Sequence, residues 1–192
     1  IHLLSHRGVI PSWNEENACF IGNNNEESIL TVGSAAGLWN HKDCINSGKN
    51  IFENKFNINI TPGGWKNKIM PLYEIKVKNY STKNFVDFQH DVTSEDIRLA
   101  LREGFVSVEH LKRYTTLGMA NDQGKVGNVI GIALMAKHLG KKISEVGTTT
   151  FRPPYTPVAI GALAGRNVGK HFKPLRKSAI HDWNLSHGAV MI

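Results

Sequence analysis

The sequence has 192 residues, 41% of them hydrophobic and 20% charged, a balance that buries a core and argues against disorder. A formal charge of +7 favours anionic partners, whether phosphates, nucleic acid or acidic protein faces, without choosing among them. The longest apolar run of small residues, Val129 to Ala136, falls far short of the roughly 20 residues of a membrane span, so no membrane role is expected.

In chain order, residues 1–60 open with Ile1 and show no secretory pattern, which leads to the expectation that a natural N-terminus lies upstream. Ser28 to Val32 is a short β-rich run, followed by Gly33-Ser34-Ala35-Ala36-Gly37 and then a helical stretch to about Phe56. Strand, small-residue turn and helix in that order would let a dinucleotide phosphate approach backbone N–H groups. The first glycine of a full fingerprint is absent, and close strand–helix packing accounts for the same residues. Residues 61–84 read as a linker, punctuated by Pro62-Gly63-Gly64, with one alternating strand at Leu72 to Val77.

From Phe85 to Gly147 the pattern is helical. Thr93 is placed to cap a helix with Glu95 and Asp96 in its first turn, and Gly104 stops it. Ser107 starts a second helix, with Val108 and Leu111 three apart, which closes by Gly118. A third is predicted from about Lys125 to Leu139, with Val129, Ala133, Ala136 and Leu139 on one face and Gly140 past its end. Residues 148–192 are rich in Pro, Gly and Thr: Arg152-Pro153-Pro154-Tyr155 enforces an extended path before the small-residue run Val158 to Gly165. They read as the opening of another domain.

One cluster stands out chemically. Lys112, Arg113, Thr115 and Thr116, with Gln123, Gly124 and Lys125 at the next helix start, gather cations, hydroxyls and helix N–H groups that suit a phosphate. A solvent-facing helix end with its basic residues near the negative dipole gives the same pattern. The wider basic groups, Lys66, Lys68, Lys76 and Lys78, then Lys170, Lys173, Arg176 and Lys177, read as solvated surface. Their lack of interleaved aromatic residues argues against a nucleic-acid partner.

Cys19 and Cys44 form no disulfide framework or zinc pattern and point to a reducing, cytoplasmic setting. His181 and His187 near Asp182 are not spaced for one helical face, so no metal site is expected. With no Gly-x-Ser-x-Gly elbow or activated thiol, no catalytic residue is assigned.

The segments Phe85 to Thr93, Val108 to Lys125, Gly147 to Pro157, Gly161 to Gly165 and Arg176 to Trp183 resemble the alpha subunit of heterotetrameric sarcosine oxidase; Ile1 to Leu38 is more loosely similar to the end of that subunit's nucleotide-binding domain. The resemblance implies a mixed α/β and α+β fold. Residues 1–60 would end a Rossmann-like FAD/NAD-binding domain, 61–84 would link, 85–147 would form a small helical ferredoxin-like module, and 148–192 would begin a folate-binding, aminomethyltransferase-like domain. Modules of that ferredoxin kind hold a two-iron, two-sulfur cluster on four cysteines. Asp87, Gln89, Asp122 and Gly127 stand at those positions, and none supplies a thiolate, so no iron–sulfur cluster is expected.

The implied enzyme is a flavoprotein that oxidises sarcosine to glycine, reduces oxygen to hydrogen peroxide and passes the one-carbon unit to tetrahydrofolate. Its partners are the beta, gamma and delta subunits, with FAD in beta, FMN at the alpha–beta interface and NAD in alpha. Gly33, Ala35, Ala36 and Gly37 would then belong to the NAD region, and Lys112 to Lys125 to an FMN-phosphate or subunit surface. The chain is expected to be an incomplete stretch of that larger polypeptide, inactive alone, with its folate pocket elsewhere. Two other readings remain open: a related enzyme acting on another N-methyl amino acid, and a non-catalytic basic binding module, which steep salt dependence would distinguish.

Overall fold

The computed structural model describes residues 1–23, 29–54, 69–78, 83–151, 153–166, 169 and 176–190. They fall into two compact units, Ile1–Thr156 and Pro157–Ile192. Ser28, Phe56, Pro62-Gly63-Gly64, Lys66, Lys68, Arg152, Lys170 and Lys173, on which some expectations rest, lie outside the described residues.

The first unit opens with helix α1 (His2–His6) and an antiparallel hairpin of β1 (Ser12–Asn14) and β2 (Cys19–Ile21), which pairs Trp13 with Phe20. This hairpin was not foreseen. Its turn closes because the Asn14 side-chain oxygen accepts from the Asn17 N–H at 2.9 Å and Ala18 takes a positive φ of 47°. The strand expected at Ser28 to Val32 is absent: Ile29 to Val32 pairs with no strand, and Thr31 packs across Gly22, where any Cβ would lie 2.4 Å from its methyl. Gly33–Ala36 is a single 3₁₀ turn closed by left-handed Gly37, ahead of helix α2 (His41–Asn54). Among the described residues there is no parallel sheet, so the Rossmann-like architecture expected for residues 1–60 is not seen here.

Leu72 to Val77 also forms no strand. Tyr73 packs against the core, and the neighbouring Glu74 side chain is only 2% exposed, bonded to Arg98 and Lys137 at 3.0 Å each. Leu72 and Ile75 are exposed. Two adjacent inward residues break the alternation a half-buried strand requires, so long-range ion pairs, rather than a ladder, hold this segment.

The centre of the unit is β3 (Phe85–Asp87) and β4 (Val92–Thr93), an antiparallel pair irregular between Phe85 and Asp87, with α3 (Ser94–Arg102), α4 (Val108–Thr115) and α5 (Gly127–Leu139). The Thr93 capping box is present: its N–H donates to Asp96 Oδ2 at 2.8 Å, and its hydroxyl oxygen accepts from the Asp96 N–H at 3.4 Å. This directs Ile97 and Ala100, both fully buried, into the core. Thr93→Ala should cost about 1 kcal/mol, read as a lower denaturant midpoint, while Thr93→Ser retains most of it.

Ser107 takes the cap position of α4 through its backbone, but its side chain makes no cap bond, and left-handed Thr116 (φ 62°) ends the helix. Helix α5 starts at Gly127, two residues later than expected, and ends at left-handed Gly140. Its buried surface is wider than the predicted face, with residues 131–136 all buried, as befits a helix at the centre of a core. Gly127 and Gly131 permit the close approach: a Cβ on Gly127 would sit 2.7 Å from the Val86 carbonyl, and one on Gly131 would sit 2.4 Å from Leu117. The short helix α6 (Ile143–Val146) follows.

The second unit contains α7 (Ile160–Ala164) and α8 (His181–Ser186), with His187 stacked on Trp183 at 4.0 Å. None of its described residues is buried, and none forms a strand. No helix among the described residues is long and apolar enough to cross a membrane.

Candidate functional site

Helix α4 presents Glu109, Lys112 and Arg113 on one face, since residues three and four apart are neighbours. The loop after it brings Gly118, Met119 and Gln123 opposite, leaving a cleft of about 220 Å³. Arg113 pairs with Glu109 at 3.6 Å; Glu109 Oε1 also accepts from the Thr150 N–H at 2.7 Å, and Lys112 Nζ donates to the Thr150 carbonyl at 3.2 Å. Two cations and one carboxylate leave one net positive charge, set at the negative end of the helix dipole.

The predicted phosphate cluster therefore divides. Lys112, Arg113 and Gln123 share the cleft. Thr115 donates to the Leu111 carbonyl at 2.8 Å and accepts from the Leu117 N–H at 3.2 Å, while Thr116 donates to the Thr115 carbonyl at 2.6 Å, so both hydroxyls serve the helix end. Gly124 and Lys125 line a second cleft of about 250 Å³ with Phe20, Asn128 and Tyr155. There Lys125 donates to the Tyr155 carbonyl at 2.9 Å and lies 4.1 Å over its ring. The backbone N–H groups of Gly124, Lys125 and Asn128 are bonded to Asp122 Oδ1, the Asp122 carbonyl and the Gly124 carbonyl. Three of the donors around this helix start are thus engaged within the chain.

Gly33, Ala35, Ala36 and Gly37 line neither cleft. The Gly33 N–H donates to Ser47 Oγ at 3.1 Å and the Gly37 N–H to the Ser34 carbonyl at 3.0 Å. Those two donors are engaged within the chain, and residues 29–32 ahead of them form no strand. A pyrophosphate cradle works through uncommitted N–H groups at a helix start.

Three of the four positions matched to cluster cysteines, Asp87, Gln89 and Asp122, are joined by hydrogen bonds, and Gly127 packs beside them. Asp87, 4% exposed, accepts from the N–H groups of Gln89 (2.9 Å), His90 (3.1 Å) and Gly118 (2.9 Å). Gln89 Oε1 accepts from the Asp122 N–H at 3.3 Å, and Gly127 lies against the Val86 carbonyl. Among the described residues no group of three or more His, Cys, Asp or Glu side chains is arranged for a metal. Burial pushes the Asp87 carboxyl up, but the three N–H donors outweigh it and hold it below the usual carboxylate value. Glu74 is likewise pushed up by burial and brought below its ordinary value by Lys137, Arg98 and Ser94.

Asp87, Glu109 and Thr150 were not singled out as parts of one site. The spacing of Glu109 and Arg113, four apart on a helix, was readable as an ion pair; the contacts to Gly118 and Thr150, 31 and 41 residues away, left no local pattern.

Residues 81–166, covering the central strands, α3 to α6 and the cleft, match the sarcosine oxidase A3 domain family. Beyond that domain, the similarity to sarcosine oxidase alpha subunits runs along the whole chain. Along its whole length it is similar, at 43% identity, to the sarcosine oxidase alpha subunit of Rhizobium meliloti, and it spans 20% of that relative's length. Over 58% of the chain it is 51% identical to the protein of the same name from a Corynebacterium species, covering 12% of that protein. A more distant relative, an opine oxidase subunit of Rhizobium meliloti, is 31% identical over 38% of the chain and 16% of its own length.

Proposed function

We propose that this chain serves as a cofactor- and subunit-contacting part of a flavin-dependent amine oxidoreductase. That enzyme would demethylate sarcosine to glycine, reduce oxygen to hydrogen peroxide and pass the one-carbon unit to tetrahydrofolate. The observation that carries this reading is the 43% identity running along the entire chain. Flavins supply the redox chemistry in such an enzyme, and the protein positions and tunes them. No residue of this chain is assigned to the chemical step.

Within this reading the cleft of Lys112, Arg113 and Gln123 takes the phosphate end of FMN or an anionic patch of the beta subunit. At about 220 Å³ it is smaller than the ~300–1,000 Å³ of a site enclosing a whole small molecule, so it suits one end of a flavin nucleotide. Lys112 and Arg113 supply charge, and the Gln123 amide can orient a phosphate oxygen. FAD is placed in beta, with gamma and delta as further partners. NAD is assigned to the alpha polypeptide with Gly33, Ala35, Ala36 and Gly37 as its candidate contacts, tetrahydrofolate is assigned to the enzyme with no residue of this chain named for it, and the setting is cytoplasmic.

A second reading, oxidation of a different N-methyl or N-alkyl amino acid, draws support from the likeness to the opine oxidase relative. Co-expression of the intact alpha polypeptide with the product of its neighbouring gene, purification, and flavin spectra during sarcosine addition test both. Bleaching by sarcosine is the expected result. Bleaching only by another N-methyl amine selects the second reading, and a complex without flavin overturns both.

A further inference from the structure

We propose that residues 148–151 form a strap on the anion cleft, and that an anion entering the cleft loosens the strap by competing for Lys112. The proposal rests on the reading of the cleft as an anion site and adds its regulation. Thr149 anchors the strap at 4% exposure, whereas Thr150 is exposed and tied by both its backbone groups. Its N–H donates to Glu109 and its carbonyl accepts from Lys112. Both partners also line the cleft, so an anion there competes for Lys112 and faces the Glu109 carboxylate.

The competition has a direction. The bond from Lys112 to Thr150 ends on a neutral carbonyl, and a hydrogen bond from an ammonium to an anionic oxygen is roughly twice as strong as a neutral one. Among the described residues Arg113 is held by a partly exposed pair with Glu109 at 3.6 Å, and surface pairs of this kind are worth about 0–1 kcal/mol, so it too can turn to the ligand. An anion beside Glu109 repels that carboxylate, which weakens the other tie to Thr150. At the far end Lys125 still holds the Tyr155 carbonyl, away from this cleft, so loosening is confined to the Thr150 end.

Amide hydrogen exchange of the full 192-residue chain, followed by NMR, reads this directly, with inorganic phosphate and then FMN as probes. Once phosphate shifts the Arg113 and Gln123 resonances, the Thr150 amide should exchange several-fold faster while the buried Leu111 amide stays unchanged. Lys112→Met, which removes the tie to the Thr150 carbonyl and leaves the Thr150 N–H on Glu109, should abolish the response of the Thr150 amide to phosphate, again with Leu111 protected. Phosphate that shifts Arg113 and Gln123 but leaves Thr150 unaltered overturns the strap and spares the anion cleft. If neither probe shifts those resonances, the anion reading fails and the competition with it. A Thr150 amide that still speeds up with phosphate in Lys112→Met shows that competition for Lys112 is not what loosens the strap.

Discussion

Replacing Asp87 with alanine is expected to lower the stability of the chain by about 3 kcal/mol, because three backbone N–H groups lose a charged acceptor in a buried place. For a cooperative unit of this size that is a fall in melting temperature of roughly 6–12 °C. Asp87 also joins two loops: Gln89 and His90 lie in the turn between β3 and β4, and Gly118 lies on the cleft. Asp87→Asn keeps an oxygen for one loop and offers an NH₂ group to the other, so it should retain only part of the stability. Thermal melts of the two variants beside the parent check this. An Asn variant as stable as the parent would show that the carboxylate's charge and second acceptor contribute nothing.

The same group sets a pH dependence. The folded-state pKa of Asp87 is depressed, so its stabilisation is present above the unfolded value of about 3.9 and is lost as pH falls through the folded value. Glu74 acts in the same direction. His138 adds to it from higher pH: burial lowers its pKa, helped by Arg98, Lys137 and Lys76 and opposed by Glu74. A histidine whose folded form resists protonation begins to cost stability as pH falls through about 6.5, because the unfolded chain takes up the proton first. Stability should therefore decline with acid in two stages, and Asp87→Ala should flatten only the lower one.

The helical centre was legible because its signals are local. Thr93 with Asp96 three residues on, the apolar spacing of α3 and α4, and Gly140 after α5 each specify a helix end or face within a few residues. The front of the chain was not. Ser28 to Val32 has β propensity, but a strand exists only with a partner, and neighbouring Thr31 is committed to packing on Gly22. The hairpin at Ser12 to Ile21 carries no Asn-Gly or Asp-Gly signature, and its turn depends on Ala18 at positive φ, a conformation alanine rarely advertises. The candidate site was readable in its residue types and misread in its grouping. Lys112 and Lys125 both look like phosphate ligands in sequence, yet each reaches a different carbonyl of the segment after α6.

Gly118 joins these elements, and Gly118→Ala should rank with Asp87→Ala in its cost. Gly118 has φ +69°, its N–H donates to Asp87, and a Cβ there would lie 2.1 Å from Asn128 Oδ1 and 3.2 Å from the Gly124 backbone. The left-handed conformation costs alanine about 1–2 kcal/mol, and crowding against a buried neighbour adds about 1–3 kcal/mol. Gly140 separates the two contributions: it has nearly the same φ, +64°, but open space around its Cβ direction. Gly140→Ala should therefore show the conformational cost alone, and Gly118→Ala should exceed it by the crowding. Adding Asn128→Ala, which removes the obstructing oxygen, should narrow the gap between Gly118 and alanine at that position. Equal losses at Gly118 and Gly140 would mean that the loop gives way around the new methyl. The close fit of Gly118, Asn128 and Asp87 would then not be what shapes the cleft.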